Sequence, residues 1–209
     1  MADKQNEYID QAMAAYEKAV SSYQNLDLWT KVDSTSAITA YTQPGAEGLD
    51  TLKIEFFVDK PPKDIMNFLY EKWPEVLTQA SGDMVGFYNI IHTYSDKARV
   101  SHSQFVPPAA VVDKRVTTAF EILADTGENT VAMIFTSCDF EAPEAEGIKA
   151  TTSQVQIAEP VGEDTSRTHF IMVLNLNPSG SIPTAIANQV MTKRVAAWEQ
   201  IKQVLDGAL

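Results

Sequence analysis

The first part of the chain carries large apolar side chains at intervals of three and four positions. On a helix of 3.6 residues per turn, these side chains share one face. The spacing therefore predicts an amphipathic helix over residues 3–24 with one buried side. The side chains that set the pattern are Ile9, Met13, Tyr16, Val20 and Tyr23.

After Trp29 the pattern changes to alternation, which is typical of strands with one buried face. Residues 37–42 form the first clear alternating run, and residues 52–58 form the second, with Leu, Ile, Phe and Val on one face. Pro and Gly between the two runs predict a turn. Pro61 and Pro62 end the second run, because proline cannot continue a sheet ladder.

The middle of the chain predicts an antiparallel sheet. A short helix precedes it, since apolar residues recur at helical spacing from Ile65 to Trp73. Turn residues join the strand-like runs that follow, and no segment between them is long enough for a helical crossover. The six runs are 85–94, 98–105, 115–123, 130–136, 150–159 and 168–176.

A long helix closes the chain. Pro183 is pre-organised for the first turn of a helix, and apolar residues then share one face to about residue 205. The whole pattern, residues 1–209, predicts a single α+β domain in which one long antiparallel sheet is flanked by helices.

Charge and cysteine content narrow the function. The chain of 209 residues has 16 Lys and Arg against 28 Asp and Glu, a formal net charge of -12. A body this acidic repels phosphate backbones, and the chain has no basic run, so we expect no nucleic-acid partner. Cys138 is the single cysteine, and no apolar run is as long as a membrane span, so we expect a cytoplasmic protein.

Residues suited to catalysis are few. His92, His102 and His169 lie in strand-like runs with no obvious carboxylate partner nearby in sequence, and Cys138 lies at the end of a predicted strand. The sequence contains no phosphate-binding glycine loop, no Cys-x-x-Cys pair and no His-Glu-x-x-His motif. It therefore predicts no cofactor and no metal, and a lone histidine in a strand is more often structural than catalytic.

A curved sheet closed by a long helix can enclose a cavity. Alternating apolar residues of the last strand are candidates for its lining, and polar residues of earlier strands are candidates for orienting a head group. The same residues could equally fill a packed core, and periodicity alone leaves both alternatives open. The candidates are Phe170, Met172 and Leu174 on the last strand, and Asn89, His102 and Gln104 on the earlier strands.

The segment 176–183, Leu-Asn-Pro-Ser-Gly-Ser-Ile-Pro, is the most specific feature of the chain. It resembles the aspartate-glycine-glycine-x-isoleucine-proline start of the last helix in START (steroidogenic acute regulatory protein-related lipid transfer) domains. These domains are a branch of the helix-grip superfamily. The resemblance covers nearly the whole chain, and further support comes from Trp29, Lys53-Ile54-Glu55, residues 147–150 and Glu159-Pro160.

The resemblance implies a helix-grip fold: a curved antiparallel sheet wrapped around the C-terminal helix, an N-terminal helix, and a short helix after the third strand. It also implies an internal tunnel that holds one lipid. The loop 106–112, which includes Val111 and Val112, would act as a lid together with the last helix. On that helix, Ile186 and Val190 would face the ligand, while Lys193 and Arg194 could either reach toward phospholipid head groups or lie on a solvated face.

The chain departs from the family at the head-group end of the tunnel. Only Arg115 matches the family's arginine-aspartate-phenylalanine triplet, and residues 100–104 contain no acid to pair with a buried arginine. An unpaired charge in an apolar tunnel is costly. We therefore expect neutral hydrogen bonds, from residues such as His102 or Gln104, to recognise the head group.

Three functions are compatible with these observations. The leading one is a lipid-binding or lipid-transfer protein that holds a sterol, phospholipid or sphingolipid, contacts membranes transiently and is a monomer. The second is a helix-grip enzyme, such as a cyclase or hydrolase, with His102 or His92 as general base. The third is a ligand-sensing module.

Overall fold

The structure is a computed structural model that describes residues 2–35, 37–45, 48–107, 112–180 and 184–207. Three α-helices and ten strands lie within these ranges. The helices are α1 (Ala2–Tyr23), α2 (Pro62–Ser81) and α3 (Thr184–Gly207). The strands are β1 (Thr30–Ser34), β2 (Thr39–Pro44), β3 (Asp50–Val58), β4 (Val85–Ser95), β5 (Ala98–Phe105), β6 (Arg115–Gly127), β7 (Thr130–Ser137), β8 (Ile148–Lys149), β9 (Thr151–Val161) and β10 (Asp164–Asn177).

Nine strands form one antiparallel sheet in the order β1-β2-β3-β10-β9-β7-β6-β5-β4. This confirms the predicted α+β helix-grip fold. The short strand β8 is the exception, since it pairs in parallel with the start of β6. The segment between β7 and β8 carries the chain back to that position without a helix. The sequence pattern did not predict strand β8.

The helix after β3 is longer than predicted. It runs for 20 residues and continues through Pro74, whose carbonyl accepts a hydrogen bond from the Thr78 hydroxyl at 2.7 Å. Its second half buries Val76 and Ala80. Burial of these residues against the sheet offsets the hydrogen bond that proline removes from a helix interior.

The sheet is covered on both faces. Helices α2 and α3 pack on the face that we call inner, and α1 packs on the opposite, outer face. Alternation in β3 divides its side chains between the two, as predicted. Phe56 on the inner face is 2% exposed, whereas Phe57 on the outer face is 47% exposed.

Trp198 of α3 is the centre of the inner layer. Its ring lies 6.0 Å from the ring of Trp73 on α2, 6.4 Å from that of Phe56 and 5.7 Å from that of Phe170. Phe56 and Phe170 stack at 4.7 Å across the β3–β10 ladder. These contacts hold both helices and two central strands in one core.

Lys53 is buried in the outer layer even though its neighbours on β3 alternate as in a half-exposed strand. Its side chain is 0% exposed and its amine lies 2.7 Å from a carboxylate oxygen of Glu55. The same amine lies 4.2 Å from the ring of Tyr41 and 5.2 Å from that of Trp29. The ion pair and the aromatic faces together compensate for the loss of water around this charge.

The adjacent phenylalanines of β3 provide a test of strand register. Phe56→Ala should lower the free energy of unfolding by about 3–5 kcal/mol, because it leaves a cavity under Trp198. Phe57→Ala should cost less than about 1 kcal/mol, since its ring is half exposed. Urea denaturation of both variants measures these values. Equal losses would contradict the assignment of the two rings to opposite faces.

Candidate ligand-binding cavity

A cavity of about 170 Å³ lies between α3 and the inner face of the sheet. The helices supply its apolar wall. Trp73 and Leu77 come from α2, and Val190, Trp198 and Ile201 come from one face of α3. Trp198 and Ile201 follow Val190 by eight and eleven positions, which places the three on a single helical stripe.

The strands supply a polar wall opposite the helices. Every second residue of β5, β6 and β9 faces the inner side. Hydroxyl and amide groups occupy many of these positions, in contrast to the apolar inner faces of β3 and β10. The residues concerned are Ser101, Ser103, Thr117, Thr152 and Gln154.

The register of β5 and β6 places charged residues at both ends of this polar wall. Cross-strand neighbours on one face of an antiparallel pair lie close enough to interact. Ser103 and Thr117 occupy the middle of the wall. The inner pairs, in order along β5, are Arg99 with Glu121, Ser101 with Ala119, Ser103 with Thr117, and Phe105 with Arg115.

Arg99 and Glu121 form a closed, buried ion pair. The Arg99 Nε lies 2.7 Å from Glu121 Oε2, and its guanidinium lies 4.1 Å from the ring of Tyr70. The Tyr88 hydroxyl donates to the other oxygen of Glu121. Burial, followed by the negative charge of Glu121, raises the pKa of Tyr88 well above its usual value. The two charges neutralise each other, although one terminal nitrogen of Arg99 is buried without a hydrogen-bond partner among the described residues.

The sequence did not predict this pair. Residues 100–104 do lack an acid, but the buried acid stands on β6 and its arginine, Arg99, on β5. The available signal was the position of Glu121 between Ala119 and Leu123 on the inner face. The register that brings Arg99 opposite is a long-range property of the sheet, and periodicity does not reveal it.

Arg115 clamps the segment that precedes α3. Its Nε donates to the carbonyl oxygen of Pro178 at 2.7 Å, and its other nitrogens donate to the carbonyls of Asp113, Lys114 and Ser179. The side chain is 6% exposed and lines the cavity. Backbone carbonyls therefore occupy most of its N–H donors, but these neutral partners do not cancel its positive charge.

Arg194 of α3 also lines the cavity, but it differs from Arg115 in its hydrogen-bond partners. Its guanidinium lies 5.1 Å from the ring of Phe105, and its Nε is buried without a hydrogen-bond partner. Burial lowers the pKa of Arg194 to about 10, so the group stays protonated at neutral pH. The wall therefore carries two arginine charges beside its neutral polar groups, and recognition of a head group by neutral hydrogen bonds stays a prediction.

Two of the predicted polar residues lie away from the cavity. His102 shares the outer face of β5 with Val100, its Nδ1 lies 3.1 Å from the Thr118 hydroxyl, and burial lowers its pKa. Asn89 is exposed on the edge strand β4. Both residues occupy alternate strand positions whose side chains point away from the inner face of the sheet.

The predicted apolar lining of β10 is a packed core. Phe170, Met172 and Leu174 are each at most 1% exposed, and they belong to the inner core cluster with Trp198. The Phe170 ring packs 5.7 Å from that of Trp198, and none of the three residues lines the cavity. Leu176, two residues further along the strand, does reach the cavity.

The remaining predicted residues divide between the cavity and undescribed positions. Gln104, Val112 and Val190 line the cavity, as do Arg115 and Arg194. The Gln104 amide also donates to the carbonyl of Glu146 at 2.7 Å. Val111 and the side chain of Ile186 lie outside the described residues.

No histidine or cysteine lines the cavity in the described ranges. His92 packs against the rings of Tyr94 and Phe140, and His169 lies 3.1 Å from Glu159. Burial raises the pKa of the Cys138 thiol, which disfavours the nucleophilic thiolate. Within the same ranges, no cluster of three His, Cys, Asp or Glu residues could hold a metal ion. A cavity histidine acting as general base therefore has no structural support.

Solved structures with the same fold include lipid transfer proteins. The human StAR-related lipid transfer protein 5 has a TM-score of 0.77 at 15% identity, covering 96% of this chain and 97% of its own. Human STARD10 has a TM-score of 0.73 at 14% identity, covering 90% of this chain and 77% of its own. A STAR-related lipid transfer protein from Xanthomonas axonopodis has a TM-score of 0.70 at 16% identity, covering 86% of this chain and 99% of its own.

These likenesses show that the chain has the START helix-grip fold. No family model matches the sequence, and no curated protein matches it. Helices within the described ranges are all too short or too polar to cross a membrane.

The Arg99–Glu121 pair provides a test of the buried wall. Glu121→Gln leaves Arg99 buried without a counter-charge, so the free energy of unfolding should fall by about 3–5 kcal/mol. Asp125 lies on the same strand as Glu121 and forms exposed ion pairs with Lys97 and Lys63. Asp125→Asn breaks these pairs and should lower the free energy of unfolding by less than about 1 kcal/mol. Chemical denaturation measures both. A Glu121→Gln variant as stable as Asp125→Asn would show that Arg99 is not desolvated.

Proposed function

We propose that this protein binds one lipid molecule in the cavity under α3 and carries it between membranes. The observation that carries the proposal is the arrangement of the cavity: an apolar helical wall faces a polar strand wall, inside a fold shared with proteins named for lipid transfer. Such a cavity can shield an acyl chain or ring system on one side and orient a polar end on the other.

Removal of apolar surface from water would drive the binding. Each Å² of apolar lipid surface that enters the protein contributes about 25 cal/mol. No bond needs to be broken for this activity. The absence of a histidine or cysteine from the described part of the cavity wall is compatible with binding rather than catalysis.

The enclosed volume constrains how a lipid enters. At about 170 Å³ the cavity is smaller than the roughly 300–1,000 Å³ of ordinary small-molecule sites. A whole lipid therefore requires outward displacement of part of the wall. Helix α3, Pro107 and Val112 border the cavity, and in our proposal α3 moves away from these two residues to admit the ligand.

Several finer features belong to this proposal. The ligand is a sterol, a phospholipid or a sphingolipid, held by residues 1–209 acting as one START-like domain. The protein works in the cytoplasm as a monomer and contacts membranes only transiently. Its net charge of -12 supports transient contact, because an acidic body is repelled by anionic membrane surfaces.

The proposal predicts lipid capture that depends on free space under α3. The purified protein is incubated with mixed liposomes of phosphatidylcholine, phosphatidate, ceramide and cholesterol, re-isolated, and its extract analysed by mass spectrometry. About one lipid per protein is expected. Recovery of no lipid above a protein-free control would refute the proposal.

Two adjacent alanines of α3 localise the bound lipid. Ala197 lines the cavity, whereas Ala196 is exposed. Ala197→Leu should fill the cavity and reduce lipid capture at least about fivefold without unfolding the protein. Ala196→Leu adds the same atoms outside and should leave capture unchanged. Capture that is equal in the two variants would place the lipid elsewhere.

A further inference from the structure

The cavity wall carries an excess of positive charge. Arg115 and Arg194 both line it, and neither forms an ion pair with a carboxylate among the described residues. Asp50 is the one acidic residue of the described lining. Burial alone lowers the pKa of Arg194, and no carboxylate contributes to that shift.

The two arginines stand on either side of Phe105. Arg115 is the direct cross-strand neighbour of Phe105 on the inner face. The Arg194 guanidinium approaches the same ring from α3, with its carbon 5.1 Å from the ring centre. Phe105 thus marks one end of the polar wall, where positive charge from a strand and from a helix converges.

The donors of the two arginines differ in availability. Four backbone carbonyls accept from Arg115, so this side chain adds charge but few free N–H groups. The Arg194 guanidinium lies over an aromatic face, and its buried Nε donates to nothing within the described residues. It therefore offers an unused donor at the cavity wall.

Stability gives no reason for an arginine at this position. A buried charge without a partner costs free energy, and an apolar residue of similar size would usually stabilise the fold instead. Two buried cations of this chain are paired with carboxylates, Arg99 with Glu121 and Lys53 with Glu55, while Arg115 meets backbone carbonyls. Arg194 is partly buried, and its buried Nε has neither kind of partner among the described residues, so a ligand could supply the missing counter-charge.

We propose that Arg194 binds the polar end of the ligand and that the lipid carried in this cavity is an anionic amphiphile, with a carboxylate or a phosphate at that end. The inference rests on the proposed lipid-binding function and narrows its ligand class. Guanidinium groups bind carboxylate and phosphate through paired, charge-assisted hydrogen bonds. The Ser103 and Thr117 hydroxyls lie one inner pair further along the wall and supply additional donors.

Neutral and zwitterionic ligands fit the wall less well. A sterol hydroxyl leaves the guanidinium charge uncompensated. A phosphocholine group brings a further positive charge, its quaternary ammonium, close to Arg115 and Arg194. Both therefore lose the electrostatic gain that an anionic end provides.

The experiment compares four oleoyl probes of equal chain length on the full chain, below their critical micelle concentrations. They are oleate, oleoyl lysophosphatidate, oleyl alcohol and oleoyl lysophosphatidylcholine, and isothermal titration calorimetry measures each Kd. The better of the two anionic probes should bind at least about tenfold more tightly than oleyl alcohol. Which anionic probe is better tells whether the site is built for carboxylate or for phosphate.

Substitutions at Arg194 assign the preference to this residue. Arg194→Met should bring the Kd values of anionic and neutral probes to within about twofold of each other, with oleyl alcohol still bound. Arg194→Lys should keep a preference for the anionic probes. Lys72→Met removes one positive charge from an exposed site on α2 and should leave the preference intact. The thermal unfolding temperature of Arg194→Met should not fall, since an unpaired buried cation is removed.

The outcomes separate this inference from the proposed function. Equal binding of all four probes by the wild type, or an unchanged preference in Arg194→Met, would overturn the inference and leave lipid binding standing. Binding of none of the probes, together with no lipid captured from liposomes, would overturn both. If Arg194→Met does not fold, Arg194→Gln makes the same comparison.

Discussion

The contact between α3 and the inner face of the sheet determines where the protein has a packed core and where it has a cavity. Trp198 packs against Phe56, Phe170 and Trp73, and along this part of the sheet no space remains. Over β5 and β6 the same helix leaves the strands uncovered enough to form a cavity. The residues of the sheet follow this division: the filled part is apolar, while the hollow part carries hydroxyls, amides and charges.

Local sequence patterns predicted the elements well because periodicity reports which face of an element is buried. The amphipathic α1, the alternation of β3, the six later strands and the long α3 follow from such patterns. The length of α2 did not, since Val76 and Ala80 are held by tertiary contacts beyond Pro74. Strand β8 was also missed, because two residues of parallel pairing leave no periodic signal.

The candidate site was predictable only in part. Alternation identifies which residues of a strand share a face, but it does not tell which face meets the cavity. His102 was therefore placed in the cavity although it packs beneath the outer layer. Phe170 is on the correct face but under the wrong part of α3, where packing is complete. Arg115 came from the resemblance to a known family, whereas Val190 belongs to the apolar face that periodicity assigns to the last helix and Arg194 borders that face. The structure places all three on the cavity wall.

Arg115 shows how a side chain can fix a loop without depending on that loop's side chains. Its guanidinium binds carbonyl oxygens of Pro178 and Ser179, which every amino acid possesses. The chain at Pro178 and Ser179 is thereby held by main-chain geometry, and the Gly180 backbone, with φ at 71°, continues that path. Related chains could vary the side chains of this loop widely and still seat the helix in the same place, provided that the arginine and the backbone bend persist. The anchoring of α3 is therefore compatible with extensive sequence divergence in the loop itself.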